Sequence, residues 1–287
     1  MQVYLYSKSG HNFGLENVRR VSAVYNMLKE SDPILCTADY RAATFAKSEL
    51  GVQKGVGIDV IGNLPNVMER GDILIYDDSG EASDTMQLHM KDFSTHLYKV
   101  GVDIPFDVVD NTFFEQNKNI NTIEKAIFFA DDDYANWFYD LSLNSKKQNL
   151  PLLLGHYFFL GNEDKLVNYF SYIIEEEEYE DTMKRTKYLL TSSVNSCMES
   201  LASGNCPVYF RRYDKENPDN FSLLKKYNIP TIDEDTLDGI INKFENIIEN
   251  YPSIKKIERF DISSIKKEIF DTLEKFKLIQ PSLDYKF

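Results

Sequence analysis

Cysteine is scarce in this chain of 287 residues and tryptophan scarcer still, with three of the one and a single copy of the other. Cys36, Cys197 and Cys206 cannot all pair internally, and none sits in a Cys-x-x-Cys motif or at zinc-ligand spacing. They read as reduced, buried small residues, which suits the cytoplasm. Long hydrophobic runs are missing too. No stretch approaches the ~20 apolar residues that a bilayer span needs, so no membrane span is expected. The opening MQVYLYSKSGHNFG has no charged segment followed by a long apolar one, and reads as a first strand rather than a signal peptide. Positive charge is in deficit: 32 Lys and Arg face 46 Asp and Glu, for a formal charge of -14 and a pI near 4.8. An acidic surface of this kind excludes nucleic acid as a partner unless basic residues cluster. The visible clusters are only pairs: Arg19-Arg20, Lys146-Lys147, Arg211-Arg212, Lys225-Lys226 and Lys255-Lys256.

Bulky apolar material is plentiful, with 18 Tyr and 19 Phe, enough for two cores. Short apolar runs alternate with helical periodicity almost from end to end. In the first part, Gln2–Tyr6, Pro33–Thr37, Ile58–Ile61, Asp72–Tyr76, Tyr98–Val102 and Phe106–Val109 read as strands. Helices are expected over Leu15–Lys29, Ala42–Leu50, Leu64–Glu69 and within Ser83–Leu97. The polar, Asn-rich segment Asn111–Thr122 reads as a linker. A second series follows, with strands at Ala126–Phe129, Leu150–Leu154, Tyr188–Thr191, Val208–Arg211 and Thr231–Ile232. Its helices are expected at Asn136–Ser142, Asp164–Ile174, Glu180–Thr186, Asn195–Ser203, Phe221–Lys226 and Thr236–Asn250. One more amphipathic helix, Ile265–Leu278, ends the chain.

Such alternation implies an α/β protein of two Rossmann-like, doubly wound parallel-sheet domains. The expected boundaries are 1–115 and 123–262, with a C-terminal helix in 263–287 that packs back on the first domain. Ligands of these folds bind at the carboxyl ends of the strands, and a cleft between two such domains is the default site.

The segment Tyr179–Arg212 carries the most chemistry. A strand runs into Ser192 and Ser193, then into a helix bearing Ser196 and Glu199; Gly204 ends the helix and Pro207 precedes the next strand. Small residues at a strand-to-helix turn let a diphosphate approach backbone N–H groups at the helix N-terminus. A carboxylate at Glu199 is placed to accept two hydrogen bonds from a ribose diol. The same residues also fit an ordinary turn, with Ser193 or Asn195 as N-cap and Glu199 as a capping-box or dipole-favoured acid.

The pattern Ser196-x-x-Glu199-Ser200-Leu201-Ala202-x-Gly204-x-x-Pro207 resembles the donor-site motif of glycosyltransferase-B enzymes. Within that superfamily the chain is most similar to the UDP-sugar hydrolase family of pseudaminic acid biosynthesis. There the second domain opens with a strand ending in Gly-Gly-Ser-Asp; here IFFADDD ends with Asp133 at the Asp position. Ala130-Asp131-Asp132 replaces the Gly-Gly-Ser, and Ser192-Ser193-Val194 replaces a Gly-rich turn.

What the resemblance implies is a nucleotide-sugar site. Glu199 would hold the ribose, Ser192, Ser193 and Ser196 the diphosphate, and Asp133 would belong to the same site. In the first βα turn, Ser9–Arg20, the family carries Gly-His followed by a helix arginine. Gly10 and Arg19 stand in those roles, and His11 becomes the general base, a task suited to a group that titrates near neutrality. An exposed loop histidine is the other reading of His11. The partner expected is a small-molecule UDP-linked sugar, hydrolysed or transferred, with no cofactor and no metal. The alternative is a catalytically inactive glycosyltransferase-B fold kept as a binding or scaffolding protein, which the lost glycines favour. The sequence leaves the oligomeric state open.

Overall fold

Strands and helices alternate along the whole of the computed structural model, which describes residues 1–115, 122–157 and 163–279. The chain divides into two units. The first comprises Met1–Lys8, Val21–Pro105 and the residues from Phe260 onward; the second comprises Ser9–Arg20 and Phe106–Arg259.

The elements of the first part are β1 (Val3–Ser7), α1 (Glu16–Met27), β2 (Ile34–Thr37), α2 (Tyr40–Glu49), β3 (Gly55–Gly57), β4 (Ile73–Asp77), α3 (Asp84–Phe93) and β5 (His96–Lys99). All strand pairs are parallel, in the order β3-β2-β1-β4-β5. Every residue of β1 and β4 is buried, as a central parallel strand requires. Asp39 and Ser83 start α2 and α3 by accepting the N–H groups of Ala42 and Met86.

The elements of the second part are β6 (Ile123–Phe128), α4 (Trp137–Leu143), β7 (Leu152–Leu153), α5 (Glu163–Leu166), β8 (Ile173–Ile174), α6 (Tyr179–Arg185), β9 (Thr186–Thr191), α7 (Val194–Ala202), β10 (Cys206–Phe210), α8 (Ser222–Tyr227), β11 (Thr231–Ile232) and α9 (Leu237–Glu249). This sheet is also parallel, in the order β11-β10-β9-β6-β7-β8. Numbered from β6, that is the Rossmann order 3-2-1-4-5-6. Alternate residues feed two cores: Phe128, Leu153, Leu189 and Tyr209 enter one, Ile127, Leu152, Leu190 and Val208 the other. The chain thus holds two doubly wound, Rossmann-like parallel-sheet domains.

The last helix, α10 (Ser263–Ile279), belongs to the first unit. Glu268 accepts a hydrogen bond of 2.7 Å from Tyr98, and Thr272 meets His96 at 2.8 Å. Residues 280–287 lie outside the described residues, as do 116–121 of the expected linker; Asn111–Phe114 at its start form a 3-10 turn.

Some elements differ from expectation. The strand expected at Ile58–Ile61 is β3, which ends at Gly57, and Ile61–Asn66 form a 3-10 turn. Ile58, Ile61 and Leu64 are buried, a spacing of three that matches the 3-10 repeat. No strand forms over Phe106–Val109. The single helix expected at Asp164–Ile174 is the one-turn α5 followed by β8, whose paired β-branched residues suit a strand. His96, expected on a helix, lies in β5.

Candidate active site

The strand order of the second sheet reverses between β6 and β9, and the loops after these two strands carry Ala130–Asp133 and Ser192–Ser193. Open parallel sheets bind ligands at such a reversal, beyond the carboxyl ends of the strands. The segment Ser9–Arg20 belongs to this unit and supplies the third side of the site.

Arg19 and Asp131 form a buried ion pair of 2.9 Å, with side chains 5% and 3% exposed. The guanidinium lies 3.5 Å from the centre of the Tyr179 ring, a cation–π contact of the kind that desolvation strengthens. From Tyr179 the network runs into α7. Its hydroxyl meets Ser196 Oγ at 2.7 Å and donates to Glu199. Asn195 Nδ2 donates to the other Glu199 oxygen at 2.9 Å. Ser196 Oγ donates to Ser193 Oγ at 2.8 Å. Ser193 is the N-cap of α7, accepting the Ser196 N–H at 3.0 Å. Glu199, one turn further in, gives its carboxylate to the side chains of Tyr179 and Asn195 and, among the described residues, to no backbone N–H. Burial pushes that carboxyl up to about 7, against the pull of Arg19. Burial also raises Glu16, which contacts Ser193 and Arg20.

Asp132 faces a second cationic group. Arg212 Nη2 stands 3.3 Å and Lys215 Nζ 2.5 Å from its carboxylate. Arg212 is itself held by Asp214 at 2.5 Å. Asp133 accepts the backbone N–H groups of Phe138 and Tyr139 at 3.1 and 3.2 Å, capping the first turn of α4. Burial lifts its carboxyl to about 6. Ser192 donates its hydroxyl to the Phe129 carbonyl.

His11 sits on an exposed loop over these aspartates. The loop closes on itself: Phe13 and Gly14 N–H both donate to Gly10 O, at 2.9 and 2.8 Å. Gly14 has φ +70, and a Cβ there would stand 3.2 Å from the Cβ of Asp131. Lys215 donates to Asn12 O at 2.7 Å, tying the loop to the second cationic group. The His11 ring is 5.2 Å from Tyr157 and 6.2 Å from Tyr134, and Tyr134 is 57% exposed.

Among the residues singled out from sequence, Arg19, Ser193, Ser196 and Glu199 thus join one buried network. Gly10 and His11 form the loop above it, Ser192 is tied to β6, and Asp133 serves α4. Tyr179 and Lys215 were not singled out, and Asn195, read from sequence as an alternative N-cap, instead donates to Glu199. Tyr179 follows four glutamates with nothing to set it apart, and Lys215 stands alone in a polar loop.

No family profile matches the sequence, and no curated protein does. Solved structures do resemble it. UDP-GlcNAc 2-epimerase of Methanocaldococcus jannaschii aligns at 10% identity and a TM-score of 0.51 over 96% of this chain and all of that one. UDP-GlcNAc 2-epimerase from Neisseria meningitidis aligns at 14% and 0.49 over 96% of this chain and all of that one. The E. coli heptosyltransferase WaaC aligns at 10% and 0.47 over 88% and 100%. The first of these likenesses is one of fold.

Proposed function

We propose that this protein is an enzyme acting on a nucleotide-activated sugar, most simply a UDP-sugar, whose sugar it hydrolyses or transfers. The observation that carries the reading is the clustering of Arg19, Arg212, Lys215 and the N-terminus of α7 at the strand-order reversal of a Rossmann sheet. Helix N-termini and basic side chains at that place suit a diphosphate. The M. jannaschii structure that shares the fold is described with UDP-GlcNAc and UDP, which supports the choice of ligand class.

In this reading the diphosphate rests at Ser192–Ser196, and the exposed His11 removes a proton from water or from an acceptor hydroxyl. Tyr134, exposed beside His11, lines the entrance. A ribose diol reaching Glu199 displaces the Tyr179 hydroxyl from it. The test is a UDP titration followed by calorimetry, together with turnover of UDP-sugars. UDP in the micromolar to millimolar range is expected to bind, and His11→Ala to lower turnover roughly 10²–10⁴-fold while leaving UDP affinity nearly unchanged.

One observation favours a second reading, a non-catalytic binding protein. The basic residues that would meet a diphosphate are already paired with Asp131, Asp132 and Asp214. Absence of UDP binding at millimolar concentration selects this second reading.

A further inference from the structure

The first unit contains a cavity of about 410 Å³ that the nucleotide-sugar reading does not use. Its apolar walls are Leu64, Leu74, Phe93 and three of the seven methionines, Met68, Met86 and Met90. The volume falls within the ~300–1,000 Å³ of small-molecule pockets, and thioether side chains adapt to irregular apolar guests. Its position separates it from a substrate site. Met68 and Arg70 come just before β4, and Phe93 and Ser94 just before β5, so these walls lie toward the amino-terminal edge of the sheet, and Ile61, Gly62 and Met86 extend the cavity along α3. Substrates of open parallel sheets bind at the other edge.

Four polar residues accompany the apolar walls. Ser94 Oγ is buried and has no hydrogen-bond partner, a deficit that native structures rarely leave without a reason. Arg70 and Asp92 are exposed, of opposite charge, and form no ion pair among the described residues; His89 likewise has no hydrogen bond there. A carboxylate head entering here gains Arg70 but meets Asp92, and an ammonium head meets the reverse. A hydroxyl accepts from one and donates to the other, and can reach Ser94 as either donor or acceptor.

We propose that this cavity binds a neutral amphiphile: an aliphatic chain of about eight to ten carbons, matched to a pocket of this size, ending in a hydroxyl. The chain lies among Met68, Met86 and Met90, and the hydroxyl satisfies Ser94. The site is independent of the second unit and of its chemistry.

Methionine methyl NMR tests this directly on the full chain, with 1-octanol as the probe. Saturable shifts are expected at the Met68, Met86 and Met90 methyls, with Met183 and Met198 unmoved. Met86→Trp fills the cavity, and should abolish the shifts at Met68 and Met90 while the Met183 and Met198 signals certify the fold. Ser94→Ala should weaken octanol roughly tenfold, the scale of one lost hydrogen bond, and octanoate and octylamine should each bind at least about tenfold more weakly than octanol. Shifts at all methyls alike, unaltered binding by the Met86→Trp variant, or octanoate binding as well as octanol would each overturn the proposal.

Discussion

Glu199 is the residue whose chemistry is most altered by its surroundings. Burial holds its carboxyl at about 7, above its ordinary 4.5. The folded chain therefore keeps a proton that the unfolded chain releases. The associated stability is complete below about pH 4.5 and is lost as pH rises through about 7. Glu199→Gln removes that titration, and its amide offers a donor to Asn195 Oδ1, which is buried and without a partner. The variant should match the parent near pH 4.5 and exceed it at pH 8 by up to roughly 3 kcal/mol. Urea unfolding at the two pH values measures this; a difference that does not change with pH would show that the carboxyl does not titrate as described.

Arg19 behaves in the opposite way, because its charge is held in place by Asp131. Arg19→Ala leaves a carboxylate buried without its partner and strips the cation from the Tyr179 ring. A loss of about 3–5 kcal/mol is expected, read from the unfolding midpoint, and Arg19→Ala with Asp131→Ala together should cost less than Arg19→Ala alone. Part of this network was legible in the sequence. Ser193, Ser196 and Glu199 lie three residues apart on one helix, and a motif exposes them. Tyr179 and Asp131 were not assigned to the network, because their partners are 20 and 112 residues away, and no local spacing encodes such contacts.

Among the elements, the short strand β7 runs into a position where only glycine fits. Its chain continues into Gly155, where an added Cβ would fall 2.1 Å from the carbonyl oxygen of Ala130 and 2.6 Å from Asp131 Cα. Two backbones meet there: Tyr157 N–H donates to Asp131 O at 2.6 Å, and Asp132 bridges Tyr157 in parallel. Gly155→Ala should therefore cost about 3 kcal/mol or more, and should disturb Asp131 and Asp132 first, visible as lost hydrogen-exchange protection at the Tyr157 amide. Sequence periodicity located most elements of the second series well. The helix expected at Thr236–Asn250 is α9, Leu237–Glu249, and the strand Thr231–Ile232 is β11. It failed at Asp164–Ile174, where a one-turn helix is followed by a two-residue strand. β8 and α5 share a stretch whose apolar residues fit one continuous helix, and only the sheet pairing of β8 with β7 separates them. A two-residue strand takes its identity from its neighbour rather than from its own pattern.

At the scale of the molecule the charge of -14 sets the field in which any ligand arrives. The cationic cluster does not reverse that field locally: Arg19, Arg212 and Lys215 face Asp131, Asp132 and Asp214, with Asp133 nearby. A diphosphate at such a place meets no net positive potential, unlike one at an ordinary phosphate site. Its affinity should not fall as salt is raised, because screening weakens the repulsion from the acidic surface as much as the attraction to the paired cations. Asp132→Asn changes that balance. It keeps the shape of the side chain and releases Lys215 and part of Arg212 from their ion pairs. UDP should then bind about tenfold more tightly at low salt, a gain near the ~1.4 kcal/mol expected of a charge-assisted contact. The gain should shrink between 20 and 200 mM NaCl, approximate bounds over which the screening length falls from about 20 Å to below about 10 Å. Calorimetric titration of parent and variant at both salt concentrations reads the two effects separately. A variant that binds no more tightly than its parent would mean that the freed cations do not face the ligand.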